Sequence, residues 1–218
     1  MTLAIFDLDN TLLAGDSDHA WGQFLIDQNL VDAKVVRTAN EAFYAQYQSG
    51  ELDIDQYLRF SLSFLADKSI HELTPLHQLF MQTVIEPMIT PRALALVDEH
   101  RQRGDTLMII TATNRFVTGP IAGYLRIPHL IACEAEIIDG RYTGLPTGIP
   151  SFQQGKVTRL HNWLAQHDET LDGAWFYSDS LNDLPLLRLV ENPVAVDPDE
   201  TLAAEAARQE WPIISLRD

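Results

Sequence analysis

A chain of 218 residues with 46% apolar and 21% charged residues has the makeup of one globular unit, or one unit carrying a smaller insertion. Its 15 Lys and Arg stand against 31 Asp and Glu, a formal charge of −16, which repels a phosphate backbone and excludes nucleic acid as the main ligand. Cys133 is the single cysteine, so there is no internal disulfide framework and no cysteine-rich zinc site. It lies in the apolar run Leu130-Ile131-Ala132-Cys133 and is expected to be a buried strand residue. No stretch approaches the roughly 20 apolar residues of a membrane span, and the N-terminus lacks the basic start of a signal peptide, so a cytoplasmic protein is expected.

Residues 3–8 form a short apolar run that meets acidic sequence, the pattern of a buried parallel strand. From about residue 17 to residue 86 strand signals stop. Apolar residues recur there at helical spacing: Trp21, Phe24 and Leu25; Leu52, Tyr57, Leu58, Leu62 and Leu65; Leu73, Leu76, Leu79 and Phe80. Pro87 is expected to end that run. Thr90-Pro91 offers an N-cap with proline in the first turn, and Gly104 closes the helix they begin. Residues 106–111 are a second buried strand and 116–125 a helix. Residues 130–138 are a strand turning at Asp139-Gly140 into a hairpin. A helix over about 156–166, a strand over 174–178, a helix over 184–189, a strand over 193–196 and a helix over 201–208 complete the alternation. The pattern predicts an α/β fold, a doubly wound parallel sheet with an inserted all-helical cap. Residues 1–15 and 87–218 are assigned to the core, and 16–86 to the cap.

Ligands of open α/β sheets bind beyond the carboxyl ends of the strands. The first strand ends Phe6-Asp7-Leu8-Asp9-Asn10-Thr11, the second Ile110-Thr111-Ala112-Thr113-Asn114, and the third Tyr177-Ser178-Asp179-Ser180-Leu181-Asn182-Asp183. Gly155-Lys156 opens the helix between the last two. Asp7 and Asp9 lie two apart, so extended backbone aims both carboxylates to one side. Asp179 adds a third, and a hard cation such as Mg²⁺ takes a few such oxygens together with water and phosphate. One carboxylate can attack phosphorus while another protonates the leaving oxygen. Thr111 and Lys156 supply a hydroxyl and a cation for the phosphoryl oxygens.

Taken in order, Asp7-Leu8-Asp9-Asn10-Thr11, Thr111, Lys156 and Ser178-Asp179-Ser180-Leu181-Asn182-Asp183 resemble the four motifs of the haloacid dehalogenase superfamily of phosphohydrolases. The helical block after the first motif is similar to the cap of the phosphoserine phosphatase-like branch. The resemblance implies Asp7 as nucleophile and Asp9 as acid/base, with Mg²⁺ held by Asp7, the Asp9 backbone carbonyl and Asp179, and Asp183 on metal-bound waters. It places Thr111, Lys156 and Asn182 around the phosphoryl group. The partner it implies is a small-molecule phosphate ester, with no nucleic acid and no membrane, for a monomer or homodimer.

Asp16 stands where phosphoserine phosphatases carry a glutamate that binds the substrate amine. The arginine that clamps the serine carboxylate in those enzymes falls on Ser61 here, with Arg59 two residues away and pointing well round the helix. Serine cannot replace a bidentate guanidinium. An amine-bearing ester without a carboxylate therefore fits better than phosphoserine, and histidinol phosphate, on which enzymes of this branch act, is the expected substrate. Asp16 and Asp18 would meet its cationic groups, with Trp21, Phe43 or Tyr57 available to stack on its ring. Phosphoserine or another amine-bearing ester is the alternative. An Asp-phosphorylated switch or a binding module is the alternative of another class, and Asp9, able to activate water, argues against it.

Overall fold

In the computed structural model, which describes residues 2–217, seven strands form one sheet in the order β4-β3-β2-β1-β5-β6-β7. They are β1 (Leu3–Phe6), β2 (Thr106–Asn114), β3 (His129–Ile138), β4 (Arg141–Thr147), β5 (Trp175–Ser178), β6 (Asn192–Val196) and β7 (Ile213–Ile214). All pairings are parallel except that of β3 with β4, the hairpin turning at Asp139-Gly140. Between β1 and β2 lie the inserted helices α1 (Ser17–Asp27), α2 (Ala33–Ser49), α3 (Ile54–Leu62), α4 (Ile70–Phe80) and the single turn α5 (Glu86–Met88), followed by α6 (Pro91–Arg103), which leads into β2. α7 (Arg115–Tyr124), α8 (Gln154–His167), α9 (Leu184–Leu187) and α10 (Glu200–Gln209) connect the remaining strands. No helix is long and apolar enough to cross a membrane among the described residues.

The period-2 alternation of strands sorts the apolar residues between two layers. Leu3 and Ile5 of β1 join Met108, Ile110, Phe176 and Ala195 beneath α8, α9 and α10. Ala4 and Phe6 join Leu107, Ile109, Val194 and Val196 on the other face, under α1, α6 and α7. Full burial of side chains such as Phe6 and Ile5 contributes about 1.5–3 kcal/mol each, and both faces of the sheet are sealed in this way. Cys133 is buried in β3, and burial pushes its thiol up to about 11.

The inserted helices have no core to themselves. Trp21, Phe24 and Leu25 of α1, with Phe80, Met81 and Ile85, belong to the same apolar cluster as Ala4 and Phe6. Leu58, Leu62, Leu65 and Leu73 pack instead on Cys133 and Tyr142 of the hairpin. Backbone bonds Asp67 N–H to Tyr142 O and Tyr142 N–H to Lys68 O, each 2.9 Å, stitch that contact.

Two expectations needed correction. Pro87 does not end the helical run: it occupies the first turn of α5, where the missing N–H costs nothing, and the chain leaves helix only at Ile89. Helix 184–189 is shorter than expected, with a tight turn over Leu181–Asp183 leading into α9.

Candidate active site

β1 lies between β2 and β5, so the carboxyl end of β1 is the place where chain connections depart in opposite directions and leave a crevice. Phe6 is level with Ile109 on one side and Tyr177 on the other. Asp7 therefore emerges beside Thr111 and Asp179, and its N–H still donates to Tyr177 O at 2.9 Å. Asp7 and Asp9 both keep extended backbone, and Asn10 turns the chain with φ 54°.

Lys156, in the first turn of α8, is buried between two carboxylates. Its Nζ lies 3.0 Å from Asp7 Oδ1 and 2.7 Å from Asp183 Oδ1. Ser178 Oγ donates to Asp183 Oδ2 at 2.7 Å. Thr11 donates to Asp179 at 3.2 Å. Burial drives the Asp7 carboxyl up to about 7, against the pull of the Lys156 ammonium and with repulsion from Asp183 and Asp9 adding to the rise. Burial also holds Asp179 well above the usual carboxylate range, reinforced by Asp7 and Asp183.

Asp9 is aimed by its surroundings. One oxygen accepts the Ser17 N–H at 2.6 Å; the other accepts the Thr113 hydroxyl at 2.8 Å and lies 3.4 Å from that of Thr111. Both its oxygens are thus oriented by donors from α1 and β2, the arrangement that fixes an acid/base group in one rotamer.

A pocket open to solvent joins these groups to the inserted helices. Asp7, Asp9, Thr111 and Lys156 form its floor, and Asp16, His19, Phe43, Tyr47 and Tyr57 stand in its walls. Asp16 also caps α1, accepting the N–H groups of Asp18 and His19 at 2.9 Å each. Burial, then the nearby Asp9, raise its carboxyl to about 8. Among the described residues no arginine lines the pocket; Arg59 is exposed, and Ser61 lines a separate cavity with Asp18 and Trp21.

The structure thus gathers Asp7, Asp9, Thr111, Lys156 and Asp16 around one pocket and sets Asp179 and Asp183 beside its floor. It turns Asn182 elsewhere. The Asn182 amide donates to the Tyr47 carbonyl at 3.0 Å and its Oδ1 accepts from Gln153 at 2.9 Å, at the end of α2. Trp21 is also removed from the pocket, stacked on Phe24 in the core. Thr113, Thr11, Ser178 and Gln153 were not assigned roles from sequence; the first three lie within the recognised strand-end segments, whereas nothing in the chain marked Gln153.

The donor set suits a divalent cation. Asp7 and Asp183 are buried and Asp179 half-buried, three carboxylates against the one ammonium of Lys156. Among the described residues no three Asp, Glu, His or Cys side chains are gathered closely enough to hold an ion by themselves.

Comparison with known proteins agrees with this geometry. Residues 4–188 match the family model for haloacid dehalogenase-like hydrolases. A histidinol-phosphatase of Neisseria meningitidis serogroup C is 49% identical over 219 residues, 99% of each chain. The phosphoserine phosphatase SerB1 of Mycobacterium tuberculosis is 29% identical, over 98% of this chain and 70% of that one. A crystal structure of a protein with unknown function from Bordetella pertussis Tohama I superposes with a TM-score of 0.92 at 43% identity, covering all of both chains. A phosphoserine phosphatase in a phospho-aspartyl intermediate analogue form has the same fold, with a TM-score of 0.71 at 18% identity over 99% and 93% of the two chains. The chain belongs to the haloacid dehalogenase-like hydrolases and is a phosphoric monoester hydrolase.

Proposed function

We propose that the protein is a Mg²⁺-dependent histidinol-phosphatase working through an aspartyl-phosphate on Asp7. The observation that carries the substrate is the composition of the pocket: acids and aromatic rings in its walls, no arginine for a carboxylate, and Lys156 at the phosphate end. A relative named histidinol-phosphatase, matched over 99% of its length, supports the same choice. Histidinol phosphate brings an ammonium and an imidazole, which Asp16 meets as a carboxylate once a cation is beside it, while Phe43 and Tyr57 offer ring faces.

In the first step an Asp7 oxygen attacks phosphorus, and Asp9, protonated, gives its proton to the departing alkoxide as the P–O bond breaks. In the second step Asp9, now ionised, takes a proton from water, whose oxygen attacks phosphorus and releases phosphate from Asp7. Thr113 and the Ser17 N–H keep Asp9 aimed through both steps, and Lys156 and Thr111 bind phosphoryl oxygens. Asp7, the Asp9 carbonyl and Asp179 would hold Mg²⁺, with Asp183 orienting its waters, and the ion would supply positive charge to those oxygens.

The test is phosphate release from histidinol phosphate, phosphoserine, phosphoethanolamine and sugar phosphates, with Mg²⁺ and with EDTA. Turnover is expected only with metal and fastest on histidinol phosphate. Faster turnover of phosphoserine would overturn the substrate, and full turnover in EDTA would overturn the metal. Asp7→Asn is expected to lose at least about 10³-fold in kcat with an unchanged circular dichroism spectrum, and substantial residual activity would overturn the nucleophile.

A further inference from the structure

We infer that Gln153 is a positioning residue that latches the end of α2, and with it the wall of the pocket, onto the loop carrying Asp179 and Asp183. Its backbone stands at φ 45°, ψ −120°, a region that residues with a side chain rarely occupy and that persists only where the surroundings impose it. The turn is also tight: a Cβ at Gly155 would lie 2.0 Å from the Pro150 carbonyl oxygen. What this geometry delivers is the position of one amide. Gln153 Nε2 donates to the Gly50 carbonyl at 3.2 Å and to Asn182 Oδ1 at 2.9 Å. Asn182, its acceptor filled, directs its own amide to the Tyr47 carbonyl at 3.0 Å.

Tyr47 lies in the last turn of α2, and Gly50 is its C-cap, at φ 75°. The Tyr47 carbonyl accepts the Gly50 N–H at 3.1 Å and takes the Asn182 amide as a second donor, while the Gln153 amide meets the Gly50 carbonyl, so the end of α2 has a specific dock on α8's entry loop and the Asp183 turn. The fit is close as well as polar, because a Cβ on Gly50 would come within 3.2 Å of Leu181 Cδ1. Asn40, Phe43, Tyr44 and Tyr47 of α2 line the pocket, while Asn182 adjoins Asp183, which holds Lys156. Gln153 itself does not line the pocket. Its effect therefore passes through α2: it raises the fraction of molecules in which the aromatic wall stands over the phosphate end. This inference rests on the pocket being the substrate site.

Two variants separate its parts. Gln153→Gly removes the amide and the unfavourable backbone together, whereas Gln153→Glu keeps the size and the backbone and puts a carboxylate, which cannot donate, against the Gly50 carbonyl and Asn182 Oδ1. Amide hydrogen exchange over residues 46–51 reads the latch without turnover. Both variants are expected to exchange there at least about threefold faster than wild type, the effect of losing a hydrogen bond or two. Gln153→Gly should melt no lower than wild type, since the strained turn is relaxed. With histidinol phosphate and Mg²⁺, KM is expected to rise about fivefold to tenfold and kcat to change less than twofold, because substrate must first draw α2 into place. Unchanged exchange in Gln153→Glu, or a fall in kcat with KM unchanged, would overturn the latch. Absence of wild-type turnover on any phosphate ester would overturn the functional reading instead, and the exchange experiment alone would then decide the latch.

Discussion

Lys156 is buried with the carboxylates of Asp7 and Asp183 on either side, and its charge is held there by them. Removing one partner from a buried ionic set costs more than the set contributes, because the remaining charges stay dehydrated. Lys156→Met is therefore expected to lower the stability of the metal-free protein by about 3–5 kcal/mol at pH 8, read as a shift in urea midpoint. The loss should shrink at pH 6, where Asp7, already raised to about 7, takes up a proton instead. An unchanged midpoint at pH 8 would contradict this account. Asp18 carries the opposite kind of strain. It is buried, accepts hydrogen bonds from Tyr57 Oη and from Asn114 Nδ2, and burial raises it from 3.8 to about 6. A carboxyl with a folded pKa above its unfolded one contributes stability that is complete below 3.8 and lost as pH rises through 6. Asp18→Asn removes that dependence but also forfeits one acceptor. It is expected to be about 1 kcal/mol more stable than wild type at pH 8 and about 1 kcal/mol less stable at pH 4. Parallel stability curves would show that Asp18 titrates alike in the folded and unfolded chain, without the rise.

At the scale of elements, what the sequence made legible was what the core enforces. β1, β2, β5 and β6 are apolar runs because both of their faces are covered, and the Asp139-Gly140 hairpin carries its own turn residues. The strand ends carried the site for the same reason: polar residues that interrupt such runs at their carboxyl ends face a crevice. α2 was not recognised, although Asp32 and Gly50 cap it, because none of its residues is buried and its aromatic face turns to the pocket instead of to a core. Gln153 was invisible for a related reason: nothing local signals a glutamine with positive φ. Tertiary ionic ties are equally hidden. Burial opposes ionisation of Glu134 in β3, but hydrogen bonds from Arg115 of α7 and Arg159 of α8 outweigh it and hold the carboxyl below its ordinary range. That contribution is present above the unfolded value of 4.5 and lost as pH falls through the lower folded one. Glu134→Gln should thus destabilise by about 0.5–1 kcal/mol at pH 7, the partial exposure of all three groups limiting the effect, and by nothing measurable at pH 3. Equal losses at both pH values would assign the effect to packing.

For the whole molecule, the decisive fact is that the insertion and the sheet share one apolar cluster. Ala4 and Phe6 of β1, Trp21 and Phe24 of α1, Phe80 of α4 and Val117 of α7 are all members of it. An insertion with a core of its own can melt by itself, and its detachment would cost only the boundary between two units. Here detachment would strip the cover from β1 and expose Trp21 and Phe80, so no boundary of low cost exists around the whole insertion. α2 is the exception: none of its residues is buried, and it is held by polar ties, by Phe43 against Tyr57 and Phe60, and by Asn40 against Gly22 of α1. Two consequences differ in scale and are measurable together. Global unfolding is expected to be a single transition, with circular dichroism and tryptophan fluorescence giving the same urea midpoint even though Trp21 sits in the insertion and Trp163, Trp175 and Trp211 outside it. Amide exchange below that transition should nonetheless show α2 opening at a fraction of the global free energy, while α1 exchanges with the sheet. Non-coincident midpoints, or protection of α2 equal to that of α1, would mean that the insertion moves as one body and that pocket access requires all of it to swing.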